Sequence, residues 1–149
     1  MRIATFAAIA ALIATPLMAQ TPDDAMQARQ GYMKLVAAEM GKLSGMARGE
    51  IAFDQALADA AAANLAALGS YDVAQFFVEG TSSNDLADSD ALPAIWGDFA
   101  DFQAKLAAFS DAAKGAPQAV ADAGGNLGPA LQGLGTTCRD CHQPYRRDR

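Results

Sequence analysis

The two cysteines and the single histidine of this 149-residue chain all fall within five consecutive positions near its C-terminus, Cys138-Arg139-Asp140-Cys141-His142. That clustering confines every thiol or imidazole contribution to one short stretch. The rest of the chain must fold on apolar packing, without a disulfide framework or a dispersed zinc site. Cys-x-x-Cys-His is the attachment pattern of a c-type haem. On a helix, Cys138 and Cys141 are three residues apart and His142 is four from Cys138, so all three lie near one face. Two thiols can then form thioethers with the two haem vinyl groups while the neighbouring imidazole reaches the iron. Coordination requires a neutral ring nitrogen, with the other ring nitrogen donating to a carbonyl or water.

Three other uses of these residues fit less well. A redox-active Cys-x-x-Cys pair normally follows a strand in a thioredoxin-like unit, and no strand pattern precedes Cys138. Structural zinc needs about four ligands, more than two cysteines and one histidine supply. A disulfide across two residues of one helix is geometrically poor. Because His142 is the only histidine, bis-histidine ligation within the chain is excluded. The sixth position falls to a methionine, another weak donor, or nothing. Met26, Met33, Met40 and Met46 are the candidates, and the first three repeat every seven residues, so some of them should be core. Spacing alone does not choose among them.

The chain opens with Met1-Arg2-Ile3, an uncharged and largely apolar run from Ala4 to Ala14, and Pro16-Leu17-Met18-Ala19-Gln20. This is the layout of a secretory signal peptide cleaved after Ala19, and the run is too short to span a bilayer comfortably. Residues 1–19 are therefore expected to be a leader and residues 20–149 one domain in the periplasm, with no stable membrane insertion. Cleavage removes Arg2 and no acid, taking the formal charge from −6 to −7. An acidic surface repels phosphate backbones and argues against a nucleic-acid partner.

Apolar residues recur at helical spacing throughout, and the chain reads as all-α. Thr21 and Pro22 mark a helix entrance, followed by Met26, Met33, Val36, Met40 and Leu43 on one face. A second helix is predicted from about Phe53 to Leu68. Residues 71–90 read as a crossover loop with a short apolar piece, Val73 to Val78. A third helix is predicted to open at Asp90, with Pro93 in its first turn and a stripe of Ile95, Phe99, Phe102, Leu106 and Phe109. Breaks follow at 114–117 and 124–126. A last helix is expected over about Leu127 to Pro144, with Leu127, Leu131, Leu134, Cys138 and Cys141 facing inward. Four helices with one long connection make an antiparallel four-helix bundle the natural architecture. No internal repeat is apparent.

With the haem motif at the C-terminal end of such a chain, the sequence resembles the class II cytochromes c, the cytochrome c′ family. The matching pieces are Leu134-Gly135-Thr136-Thr137-Cys138-Arg139-Asp140-Cys141-His142 followed by Tyr145-Arg146, then Pro93-Ala94-Ile95-Trp96, and Arg29-Gln30-Gly31-Tyr32-Met33. The resemblance spans residues 22–149. It implies a four-helix bundle with one covalent haem, His142 as proximal ligand, Cys138 and Cys141 as thioether anchors, and Arg29 near a haem propionate. Arg146 is given a similar electrostatic role. Met33 falls on the position that is a non-ligating apolar residue in high-spin members and methionine in low-spin ones, so the resemblance implies the low-spin His/Met subgroup. Pro144 departs from the pattern and is expected to end the last helix early and loosen the Tyr145-Arg146 contact.

These readings point to a periplasmic one-electron carrier that docks redox partner proteins, and not to an enzyme, since no nucleophile or acid/base pair accompanies the motif. The alternative is binding of nitric oxide or carbon monoxide at an open or labile distal site. Family members can pair through their first two helices, and an apolar outer face on the first helix is the feature that would favour a homodimer.

Overall fold

Thr21 starts the first helix in the way its sequence suggests. Its hydroxyl accepts the Asp24 amide at 3.1 Å while the Asp24 carboxylate takes the Thr21 hydroxyl at 2.7 Å, a reciprocal cap. Pro22 occupies the first helical turn, where a missing N–H costs nothing, and Asp23 and Asp24 complement the helix dipole. The structure, a computed structural model, describes residues 21–148; the expected leader and its cleavage point lie outside them. α1 runs Pro22–Ala47, and Gly49 then turns the chain with φ of 70°.

α2, Gln55–Gly69, begins two residues later than expected because Asp54 caps it, accepting the Leu57 amide at 2.9 Å. The crossover contains one 3-10 turn, Val73–Phe76. The expected third helix is split in two. α3 is a single turn, Ala94–Gly97, and α4 is Phe99–Lys114. Asp98 sits between them in a non-helical conformation (φ −142°, ψ 72°) and accepts the Asp101 amide at 3.1 Å. Gly97 weakens the first piece and Asp98 prefers capping to continuing it, so one apolar stripe is carried by two helices.

Beyond Lys114 the sequence suggested only a break. The structure instead has a short α5, Ala116–Asp122, with Pro117 in its opening turn. Gly124 and Gly125, at φ of 54° and 91°, then reverse the chain into α6, Leu127–Tyr145. Pro144 does not end α6 early; the helix extends one residue beyond it. In a last turn the proline deprives only the carbonyl of exposed Asp140, which can turn to solvent.

The long helices α1, α2, α4 and α6 form the antiparallel four-helix bundle, α1 packing on α2 and α6, and α4 on α2 and α6; α5 closes over α2 and α6. The main core joins Val36 and Leu43 of α1, the alanine face and Leu65 of α2, Val120 of α5, and Leu127, Leu131 and Leu134 of α6. A second cluster of Ala91, Ile95, Phe102 and Tyr145 lies beside it, with Phe77, Trp96, Phe99, Leu106 and Cys141 packed against it. Phe77 and Leu106 also pack against the main core and join the two. Among the described residues the single extended pairing is an isolated bridge between Ala91 and Arg146.

The alanine face lets α2 and α4 approach closely, and Gly69 marks the tightest point. A Cβ there would lie 2.7 Å from the Ala113 Cβ and 3.0 Å from the Ser110 carbonyl oxygen. Gly69→Val should therefore destabilise the protein by about 1–3 kcal/mol through overpacking, measured by chemical denaturation of the haem-loaded protein. Unchanged stability would mean that the two helices do not meet this closely.

Candidate functional site

α6 carries Cys138, Cys141 and His142 on the half-buried side of its last turns. The two cysteines are not bridged to each other. Burial pushes both thiols up, Cys141 to about 11, so both are protonated near neutral pH. Burial, and then the nearby charge of Arg146, lowers the His142 imidazole, which favours the neutral ring that iron ligation requires. Among the described residues no group of three or more His, Cys, Asp or Glu side chains is placed to hold a metal ion. Two free thiols and a neutral imidazole on one helix face fit a covalently attached haem.

The end of α6 is held firmly. Tyr145 is buried, and its hydroxyl donates to the Asp101 carboxylate at 2.6 Å; that bond, and then burial, pushes the phenol up to about 12. The Leu92 amide donates to the Tyr145 carbonyl at 2.9 Å and the Arg147 amide to the Asp90 carbonyl at 2.8 Å. Arg147 also meets the Asp90 carboxylate at 3.2 Å. The expected loosening of the Tyr145-Arg146 contact by Pro144 is thus not seen, because the crossover segment 90–92 anchors this terminus from outside the helix. Arg146 itself is exposed, with its backbone amide on the His142 carbonyl at 3.0 Å.

Arg29 and Met33 lie one turn apart on α1. Met33 is half-buried and packs against the core that contains Leu131 and Leu134 of α6. Met40 packs half-buried on the same core, and Met26 is buried. Met46 is at the opposite end of the bundle, its sulfur accepting the Asp54 amide at 3.5 Å. Arg29 is only 4% exposed, and its guanidinium faces the crossover. Nη1 donates to the Phe76 carbonyl at 3.1 Å and the Thr81 hydroxyl at 2.6 Å; Nη2 donates to the Thr81 carbonyl at 2.5 Å and the Ser89 hydroxyl at 2.9 Å. It also lies over the Phe77 ring, 5.1 Å from the centroid. All these acceptors are neutral, no carboxylate pairs with it among the described residues, and burial lowers its pKa. The structure therefore groups Cys138, Cys141, His142 and Arg146 at the end of α6, and Arg29 and Met33 on the adjoining helix.

Thr81, Ser89 and Asp101 were not legible as site-building residues. Thr81 and Ser89 sit in a loop without periodicity and Asp101 in the first turn of α4, and only their burial or bonding distinguishes them from ordinary polar groups.

The same conclusion comes from comparison with known proteins. The family model described as Cytochrome C' matches residues 24–146. This chain belongs to the cytochrome c′ family. It is 37% identical to a cytochrome c′ of Cereibacter sphaeroides, over 98% of each chain, and 37% identical to a cytochrome c-554 of the same organism, over 91% of each. A solved cytochrome c′ from Rhodobacter sphaeroides superposes with a TM-score of 0.81 at 38% identity, covering 87% of this chain and 99% of that one. A nitric oxide complex of a variant cytochrome c′ from Alcaligenes xylosoxidans has a TM-score of 0.72 at 29% identity, covering 86% and 97%. Members of the cytochrome c′ family carry one covalently attached c-type haem with its iron. The equal identities to proteins of two different names leave the choice of subgroup to individual residues.

Within this cytochrome c′ fold, Tyr145→Phe removes a hydrogen bond to a carboxylate without opening a cavity. It should cost about 1–2 kcal/mol, seen as a lower denaturation midpoint with an unchanged slope. No shift would mean that the Asp101 contact does not hold the α6 end.

Proposed function

We propose that this cytochrome c′ family protein is an exported one-electron carrier of the periplasm, with Cys138 and Cys141 as thioether anchors and His142 and Met33 as axial ligands. The observation that carries the reading is the placement of Met33. It is a half-buried methionine of α1 that packs against the main core, to which α6 contributes Leu127, Leu131 and Leu134 on the way to its Cys-x-x-Cys-His motif. A bound haem supplies reversible one-electron chemistry at its iron. His142 presents a neutral nitrogen from the α6 side, and a Met33 thioether would favour the ferrous state and raise the potential. The second cluster, with Trp96, Phe99 and Phe102, excludes water beside Cys141. Arg29, buried without a countercharge among the described residues, would draw a propionate, and exposed Arg146 beside His142 adds positive charge at the same end. Redox partner proteins would dock there. Export rests on the leader; among the described residues no helix is long and apolar enough to cross a membrane.

A second reading is binding of nitric oxide or carbon monoxide at an open or labile distal site. It is favoured by the nitric oxide complex of the Alcaligenes relative. Absorption spectra of the ferric and ferrous protein, with and without carbon monoxide, separate the two readings. Electron transfer through His142 and Met33 requires a low-spin spectrum with the weak far-red iron–sulfur band, indifferent to carbon monoxide, and loss of that band in Met33→Leu. A high-spin spectrum or ready carbon monoxide binding would hand the site to the gas-binding reading. Absence of a haem-sized mass addition to the mature protein would overturn both.

The outer faces of α1 and α2 support pairing of two copies. Gly31, Leu35 and Ala38 of α1 are exposed at helical spacing, Leu35 at 57%, as are Ala56, Ala60, Ala63 and Ala67 of α2. Small residues let helices of two copies approach closely around Leu35. Leu35→Glu should weaken the dimer at least tenfold, the scale of burying one unpaired charge, as read by sedimentation velocity. An unchanged sedimentation profile would exclude this face.

A further inference from the structure

The feature that the proposed ligand set leaves unexplained is the hydrogen bonding of Arg29. A guanidinium kept only to attract a carboxylate would hold its fork free for that carboxylate. Here both protons of Nη1 and both of Nη2 are already committed, to the Phe76 carbonyl, the Thr81 hydroxyl, the Thr81 carbonyl and the Ser89 hydroxyl. Those acceptors span the crossover from its 3-10 turn to the residue just before the 90–92 segment. They are organised around Arg29: the Ser89 hydroxyl donates back to the Thr81 carbonyl at 2.8 Å, and the Thr81 hydroxyl donates to the Val78 carbonyl at 2.6 Å. Thr81 and Ser89 are themselves buried. Without Arg29 the 81–89 segment would lose the hub on which its turns close, and several buried oxygens would lose a donor.

What Arg29 grips reaches the other side of the bundle by two contacts. Ser89 lies two residues from Ala91, which bridges Arg146, and Leu92 holds the Tyr145 carbonyl. The ring beneath the guanidinium, Phe77, packs on Phe102 at 4.6 Å between centroids, and Phe102 meets Tyr145 edge-on at 5.4 Å. Phe77 is fixed from a third direction, its carbonyl accepting the Trp96 indole N–H at 3.1 Å. Arg29 is one turn before Met33, and Tyr145 is three residues after His142.

We infer that Arg29 is a positioning residue: it clamps the crossover to α1 and, through that crossover, fixes the turn carrying Met33 relative to the α6 terminus carrying His142. The inference rests on the reading of Met33 as an axial ligand. Arg29 holds the crossover through the geometry of its fork, which a lysine cannot reproduce, while its charge, uncompensated among the described residues, remains free to favour a propionate.

The test compares Arg29→Gln, Arg29→Lys, Thr81→Val and Ser89→Ala in the haem-loaded protein by two measurements. Amide hydrogen exchange of residues 77–92 reports the clamp whatever binds the iron. The ferric iron–sulfur band and the rate of carbon monoxide binding to the ferrous protein report Met33. The expected result is exchange in that segment faster by about tenfold or more in all four variants, as loss of two or more hydrogen bonds implies. A weaker band and faster carbon monoxide binding should accompany it, and Arg29→Lys should not restore either. Thr81→Val and Ser89→Ala carry the test if the Arg29 variants fail to fold. Unchanged exchange in Arg29→Gln overturns the clamp. Normal behaviour in Arg29→Lys, Thr81→Val and Ser89→Ala, with a defect only in Arg29→Gln, overturns it in favour of a purely electrostatic role. Faster exchange with an undisturbed band overturns the link to Met33. A wild-type protein without the band removes Met33 as ligand and the positioning role with it, while the exchange data still show whether Arg29 clamps the loop.

Discussion

A buried guanidinium held by neutral oxygens governs how the long connection between α2 and α4 lies across one end of the bundle. Taking a charge out of water is expensive, and Arg29 remains buried because its terminal nitrogens are fully hydrogen-bonded and its face rests on an aromatic ring. Residues 78–90 of that connection are mostly polar and have little apolar surface of their own to hold them, whereas Val73, Phe76, Phe77, Ala91 and Ile95 on either side join the cores. Once fixed, that segment supplies the 90–92 backbone that meets the end of α6. The end of the helix carrying the haem motif is thus stabilised by a contact that begins on a different helix, far away in sequence.

The bundle beneath this arrangement is simpler. Small side chains on α2 allow close helix approach, and leucines of α1 and α6 fill the centre. Phe77, Trp96, Phe99, Phe102 and Tyr145 gather in the second cluster beside Cys141, so bulky apolar side chains sit where the motif lies, while Tyr32, Phe76 and Phe109 belong to the main core. A half-exposed Cys-x-x-Cys-His face on one side and an apolar, aromatic floor on the other is what a large flat cofactor requires: covalent anchors, one strong ligand and exclusion of water. The cytochrome c′ family uses this plan, and the fold matches solved members over nearly their whole length.

Much of this was legible in the chain. The capped entrance at Thr21, the stripes of α1 and α6, and the Gly124-Gly125 turn follow from local preferences and periodicity, which act within a few residues. The all-α character and the C-terminal haem motif together pointed to the family. The misplaced features were those in which two local signals compete. Pro93 looked like an early residue of one long helix, but Asp98 five residues later captured the chain as a new cap. Pro117 looked like a breaker, yet the first turn of a helix tolerates it, and α5 forms there. Pro144 looked like a stop, but contacts from segment 90–92 hold the last turn in place.

The sequence by itself determined the cofactor chemistry and the helical class, because a five-residue motif and helical periodicity are properties of neighbouring residues. It also placed Arg29 and Met33 one turn apart on the same helix. Only the tertiary structure decided that Arg29 binds the crossover through Thr81 and Ser89, some fifty to sixty residues away, and that Tyr145 closes onto Asp101. Such partners share no periodicity or spacing with the residue they serve. They meet because burial of polar groups demands that each find a hydrogen bond, and which bond is available depends on how the helices pack.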